Sequence, residues 1–142
     1  YLTGFSVIVF LLLCATLIYK VPIDNLPLIL LSIGLVAFAF VGIMVILAAL
    51  GKTEQSVSGA GWGVLMVFAM FGGAMFPLFV MPLWMQNISN FSPIKWAIVS
   101  LEGVLWRGYS VMELLPGYAI LFAIGVIGLL AGAHILKRRI AE

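Results

Sequence analysis

The chain has 142 residues, of which 65% are hydrophobic and 8% are charged. Soluble domains are about 45–50% apolar and about 25% charged, so seven Lys and Arg residues and five Asp and Glu residues are too few to cover a water-facing surface. The composition excludes soluble globular, disordered, coiled-coil and disulfide-scaffold proteins, and it predicts an integral membrane protein. Because the basic residues form no patch beyond one terminal triplet, nucleic acid is not an expected partner.

Four apolar blocks are each long enough to be considered as membrane-spanning helices. The predicted spans are residues 2–19, 26–50, 58–80 and 115–136. The second block carries no charge, and Gly34, Phe38 and Gly42 recur in it at intervals of four. Small residues at this spacing favour close helix packing in membranes. We therefore expect an all-α, polytopic membrane bundle of four transmembrane helices, completed by a proline-broken hairpin.

The third block carries soft, polarizable side chains at helical spacing: Met66, Met70, Phe71, Met75 and Phe76. Such residues suit a path that accepts varied apolar substrates. They are equally ordinary as lipid-facing or core residues, so the pattern alone leaves both interpretations open.

Residues 81–108 are too apolar for a solvated loop and too rich in proline and polar residues for a span. Pro82 and Pro93 divide this segment into two short helices. Trp84 and Trp96 favour the depth of the lipid headgroups. The segment therefore predicts a re-entrant or interfacial helical hairpin. Glu102 is within reach of Lys95 or Trp106 along the second helix, so a local polar face is favoured over a gate.

The last block is predicted to begin at Pro116, a favoured residue of a first helical turn. Gly128-Leu-Leu-Ala-Gly132 matches the small-xxx-small packing motif. The block ends in a basic triplet at residues 137–139, which predicts a cytoplasmic C-terminus.

The order of these features resembles the permease subunits of type 2 ATP-binding-cassette exporters. The segments that carry the resemblance are the glycine-rich third block, Phe76-Pro77, Met81-Pro82-Leu83-Trp84, Ser92-Pro93-Ile94-Lys95-Trp96-Ala97 and Arg107-Gly108, followed by a last span and a basic tail. The resemblance implies a correspondence with family spans three to six, so the chain is expected to be the C-terminal part of a six-span permease. The main coupling helix of the family would then precede Tyr1.

The same resemblance implies partners and site residues. The expected partners are a cytoplasmic P-loop ATPase that carries ATP and Mg, a second permease copy, and the lipid of a bacterial plasma membrane, with no cofactor on this chain. The candidate translocation path is the Met and Phe set of the third block. The candidate outer gate comprises Pro77, Pro82, Trp84, Pro93, Trp96 and Glu102, and the candidate secondary cytoplasmic contact comprises Lys52, Glu54 and Gln55.

The residues give no support to an enzyme. The sequence has no G-x-x-x-x-G-K-[ST] phosphate loop, and the one histidine, His134, has no further metal ligands in its span. We therefore expect an exporter permease that moves a small amphiphile, drug, lipid or ion by alternating access. The alternatives are a non-transporting membrane anchor or assembly subunit and a fragment of a secondary transporter. The last has weak support, because the spans contain no charge at mid-membrane depth.

Overall fold

The computed structural model describes residues 1–19, 25–51 and 53–141, and in these ranges it contains helices and no strand. The helices are α1 (Leu2–Tyr19), α2 (Leu26–Leu50), α3 (Glu54–Gly72), α4 (Leu83–Ser89), α5 (Pro93–Leu105) and α6 (Val111–Ala141), with a short 3₁₀ turn at Leu78–Val80. The expected all-α architecture is confirmed.

Within the described residues, three helices are long and apolar enough to cross a membrane: Leu26–Leu50, Glu54–Gly72 and Val111–Arg138. Residues Leu2–Ile18 of α1 form a shorter apolar helix. This helix exposes large apolar side chains, with Leu2 and Leu17 each 80% exposed. A helix that is apolar on all sides requires an apolar surrounding, which agrees with a membrane protein. A count of four spans stays a prediction.

The centre of the bundle is the contact between α2 and α6, where the two backbones touch. A Cβ atom on Gly42 would lie 2.7 Å from the Gly125 carbonyl oxygen, and one on Gly128 would lie 2.5 Å from the Gly42 carbonyl carbon. One on Gly132 would lie 2.6 Å from Val45 Cγ1. Close packing through Gly42 of α2 and the Gly128–Gly132 motif of α6 is therefore confirmed.

A buried polar contact and an apolar cluster complete this core. Ser32 and Tyr118 share a hydrogen bond of 2.5 Å between their hydroxyl groups, which joins α2 to α6. Helix α5 packs against α2, α3 and α6. It contributes one member of the buried cluster, which consists of Val36, Ala39, Ala97 and Leu121.

Helix α3 differs from the predicted span 58–80 at both ends. It begins at Glu54, because Thr53 caps it by accepting a hydrogen bond from the Ser56 amide at 3.1 Å. It ends at Gly72, because Gly73 takes a left-handed conformation with φ 92°. The polar residues after Gly51 thus belong mostly to a helix.

Helix α6 begins at Val111, so the prediction that it starts at Pro116 is wrong. Ser110 and Glu113 form half of a capping box, in which the Ser110 amide donates to Glu113 Oε2 at 2.8 Å. The Ser110 hydroxyl donates to the same oxygen at 2.9 Å. This cap starts the helix one turn earlier and leaves Pro116 inside it.

Candidate translocation groove and helical hairpin

An open apolar groove of about 440 Å³ lies between α2, α3 and the start of α5. We call it the methionine groove; it is lined by Phe40, Trp62, Leu65, Met66, Ala69, Met75 and Ile94. Flexible thioether side chains and aromatic rings adapt to apolar ligands of different shape. The groove can therefore accommodate an apolar molecule without a specific hydrogen-bonding pattern.

The structure brings only part of the candidate translocation path to this groove. Met66 and Met75 line it. Met70 is 43% exposed on α3, and Phe71 is half-buried. Met75 and Phe76 lie beyond the end of α3 at Gly72, so the helical spacing of the stripe does not extend to them. The five residues do not share one helix face, because the left-handed Gly73 turns the chain away.

The two short helices of the expected hairpin are present, and a proline marks the start of each. Pro82 immediately precedes α4, and Pro93 is the first residue of α5. Proline suits this position because its missing N–H would have no partner in a first turn. Whether the hairpin re-enters the membrane or lies at its surface stays a prediction.

Asn90 organises the junction between α4 and α5. The Trp96 indole Nε1–H donates to the Asn90 carbonyl at 2.8 Å, and Lys95 Nζ donates to Asn90 Oδ1 at 2.6 Å. The ammonium group also lies 5.7 Å from the centre of the Trp96 ring, within the range of a cation–π contact. Partial burial lowers the pKa of Lys95. Lys95 is thus bonded to Asn90, and the suggested pairing of Lys95 with Glu102 is not what the structure shows.

One side-chain hydrogen bond attaches the hairpin to α3. Ser92 Oγ donates to the Phe68 carbonyl of α3 at 2.8 Å, and Ser92 is 2% exposed. A Cβ atom on Gly72 would lie 2.6 Å from Ser92 Oγ, so only glycine allows this approach. The contact and the hydrogen bond together join the end of α3 to the start of α5.

A second cavity, of about 380 Å³, lies between the turn after α3 and helix α5. We call it the charged cavity; it is lined by Gly73, Pro77, Leu78, Phe79, Ile98, Val99, Glu102 and Arg107. Glu102 Oε2 and Arg107 Nη2 form an ion pair of 3.1 Å in it.

The turn after α5 places Arg107 back over that helix. The Arg107 amide donates to the Glu102 carbonyl at 3.0 Å, and Gly108 has a φ of 60°, which favours glycine. Arg107 Nη1 also donates to the Tyr109 hydroxyl at 3.2 Å. The interactions with Tyr109, led by that hydrogen bond, and then those with Glu102 raise the pKa of Arg107.

The candidate gate residues therefore fall into separate places. Pro77 and Glu102 line the charged cavity. Trp96 packs against the buried core cluster, and Pro93 is buried. Trp84 is 61% exposed on α4, and Pro82 is exposed beside it.

Of the candidate cytoplasmic contact, Glu54 and Gln55 are exposed in the first turn of α3. Lys52 lies outside the described residues. Glu54 also lines a shallow groove of about 470 Å³ with Ala48, Gly51, Thr53, Val57 and Ser58.

Three contacts were not predicted from the sequence. The first is the bond from Ser92 to α3, which carries no sequence signal because it depends on how two helices meet. The second is the pairing of Arg107 with Glu102. The third is the cap of α6, which Ser110-Val-Met-Glu113 does announce, since S-x-x-E before an apolar run is a capping-box pattern.

Residues 2–106, which extend from α1 to the end of α5, match the family described as "ABC-2 type transporter". The chain belongs to the ABC-2 type transporter family. The resemblance stated from the sequence is thereby confirmed, and the apolar helices and this family together identify an integral membrane protein.

A curated relative of this ABC-2 type chain is the linearmycin resistance permease protein LnrN of Bacillus subtilis (strain 168). The two are 28% identical over 127 residues, which is 89% of this chain and 33% of the relative. The chain thus spans about a third of the length of that permease. No solved structure matches the chain.

Proposed function

We propose that this chain is part of the permease subunit of an ATP-driven exporter. The observation that carries the proposal is the family match over residues 2–106, since it includes α1 to α5, the whole lining of the methionine groove, and every lining residue of the charged cavity except Arg107. The proposal includes a cytoplasmic C-terminus and a bacterial plasma membrane. The basic residues after the last apolar block support that orientation.

In this proposal the chain does no covalent chemistry. The sequence has no phosphate loop, and in this proposal ATP and Mg are bound by a separate cytoplasmic ATPase subunit. Two permease copies pair around a central path, and ATP shifts the population between inward-open and outward-open states. The hydrogen bond from Ser92 to Phe68 supports a role for the hairpin as an outer lid that follows α3.

The methionine groove supports an apolar or amphiphilic substrate. Its lining is almost wholly apolar, with the soft side chains of Met66 and Met75 beside Trp62 and Phe40. A drug, a lipid or another small amphiphile suits such a surface, and an ion remains within the scope of the family. Because the relative is a linearmycin resistance permease, linearmycin is the first compound to assay.

The partner proposal is tested by affinity purification of the full-length permease from mild detergent, followed by mass spectrometry. A P-loop ATPase is expected to co-purify, and its ATPase rate is expected to rise when the permease is present. An ATPase variant in which the P-loop lysine is replaced serves as the matched control for the rate. Purification of the permease with no ATPase, under conditions that preserve its dimer, would contradict the proposal.

A second test separates a transporter from a membrane anchor. The substitutions Pro82→Gly and Trp84→Gly alter the start of α4, where both side chains are exposed and outside the bundle core. With expression unchanged, a transporter loses flux and keeps its ATPase partner. If the chain is a membrane anchor, the variants lose partner binding and the flux through the partner complex is unchanged. That result would contradict the transport role.

A further inference from the structure

In the charged cavity, the carboxylate that pairs with Arg107 can be exchanged for the carboxylate of a ligand. Arg107 and Glu102 form its ion pair at 3.1 Å, with side chains that are 57% and 40% exposed. Ion pairs with this much exposure contribute little to stability, because water competes for both charges. Replacing the carboxylate of Glu102 by another carboxylate therefore costs little.

Arg107 has hydrogen-bonding capacity to spare. A guanidinium group carries five N–H donors. In the described part of the chain it donates to Glu102 Oε2 and to the Tyr109 hydroxyl. Its planar fork matches a carboxylate through two parallel hydrogen bonds, and the single bond to Glu102 does not use that fork fully. The position of the Glu102 carboxylate shows where such a group sits.

The remainder of the cavity is apolar and small. Leu78 and Phe79 come from the turn after α3, and Ile98 and Val99 come from α5. A volume of about 380 Å³ is near the lower end for small-molecule sites. It suits one acyl chain rather than the two chains of a phospholipid.

We propose that the charged cavity binds a single-chain fatty acid, whose carboxylate takes the place of Glu102 on Arg107 while the chain lies against Leu78, Phe79 and Ile98. This goes beyond the exporter proposal, because binding requires neither ATP nor transport of the occupant.

The test is equilibrium binding of radiolabelled dodecanoate to the full-length permease in phosphatidylcholine nanodiscs, with the uptake by empty discs subtracted. Arg107→Gln is expected to weaken binding several-fold, since it removes the charged partner of the carboxylate. Glu102→Gln is expected to tighten binding several-fold, because it removes the competing carboxylate. Arg138→Gln, which alters a basic residue at the far end of α6, is the matched control and is expected to leave binding unchanged.

The decisive result is that Arg107→Gln and Glu102→Gln change the dodecanoate affinity in opposite directions. If the ion pair were only structural, both substitutions would disturb the cavity and change the affinity in the same direction, which would overturn the proposal. If Arg107→Gln does not fold, two other variants test the proposal. Glu102→Gln is expected to tighten dodecanoate binding, and Ile98→Trp, which fills the cavity, is expected to abolish it. Unchanged affinity in both would overturn the proposal.

The occupant itself is tested by adding phosphatidylglycerol to the nanodiscs. Dodecanoate affinity is expected to stay the same, because the second chain of that lipid does not fit. Displacement of dodecanoate in the native protein and not in Arg107→Gln would assign the site to a phospholipid and overturn the single-chain occupant. Because no ATPase is present, failure here leaves the exporter proposal untouched, and failure of co-purification leaves the fatty-acid site untouched.

Discussion

At the scale of single residues, a few hydrogen bonds determine where the helices begin and how the hairpin is held. Ser92 Oγ reaches the Phe68 carbonyl, and Glu113 Oε2 accepts from both the amide and the hydroxyl of Ser110. These bonds are specific to individual atoms, so average hydropathy along the chain does not reveal them. All three involve serine: the Ser92 hydroxyl donates to a backbone carbonyl, and the Ser110 amide and hydroxyl donate to a carboxylate.

We expect Ser92→Ala to destabilise the protein by about 1 kcal/mol, because the hydrogen bond from the buried Ser92 hydroxyl to the Phe68 carbonyl is lost. Thermal unfolding in detergent measures this loss. The same variant is also expected to lower the transport rate under conditions in which the protein stays folded, since the bond connects α3 to α5. Ser58→Ala, at an exposed position of α3, is the control and is expected to change neither quantity.

We expect Glu113→Ala to loosen the start of α6, because its carboxylate accepts two hydrogen bonds from Ser110. Hydrogen–deuterium exchange is expected to become several-fold faster at residues 110–113 and to stay the same in the rest of the helix. Glu54→Ala, at an exposed first-turn position of α3, is the matched control. Equal exchange in the native protein and in Glu113→Ala would show that Pro116 or packing defines the start of the helix.

At the scale of elements, hydropathy predicted the order of the helices well and their ends poorly. The apolar blocks, the breaks at Pro82 and Pro93 and the small-residue packing motifs of α2 and α6 were predicted, because each depends on residue type and spacing alone. That these two motifs pack against each other is shown by the structure. The ends of α3 depend on the Thr53 cap and on the left-handed Gly73, and both lie at the edges of apolar blocks.

The site was only partly predictable for the same reason. Glu102 was expected to contact a residue of its own helix, Lys95 or Trp106. Its observed partner is Arg107, which lies in the turn after that helix, next to Gly108. Met66 and Met75 do line one groove, but they arrive from a helix and from the turn that follows it. The spacing of residues along a helix does not predict a contact that depends on a turn outside that helix.

We expect Gly128→Ala to destabilise the contact between α2 and α6 by about 1–3 kcal/mol, because the added methyl group would overlap the Gly42 backbone. Gly59→Ala is the matched control. A Cβ atom there would meet nothing within 4 Å, so the higher helix propensity of alanine is expected to leave stability equal or slightly raised. Thermal unfolding of both variants in one detergent compares them, and equal stability would contradict backbone contact between these helices.

At the scale of the whole molecule, a tight pair of helices carries a hairpin that is attached to a third helix. α2 and α6 form the centre, α5 packs on both, and Ser92 connects α5 to α3. The methionine groove uses one face of α3, and the charged cavity is lined by the turn that follows this helix and by α5. In the proposed exporter, a displacement of α3 would change the shape of the methionine groove and the position of that turn.

The most direct test of ATP-driven export is substrate flux in inverted membrane vesicles that contain the full-length permease and its ATPase. Linearmycin and a panel of other amphiphiles are supplied with ATP in one set of vesicles, and with an ion gradient but no ATP in the other. We expect uptake that requires ATP and disappears when the P-loop lysine of the ATPase is replaced. Uptake that persists in ATP-depleted vesicles on the ion gradient alone would contradict ATP-driven export.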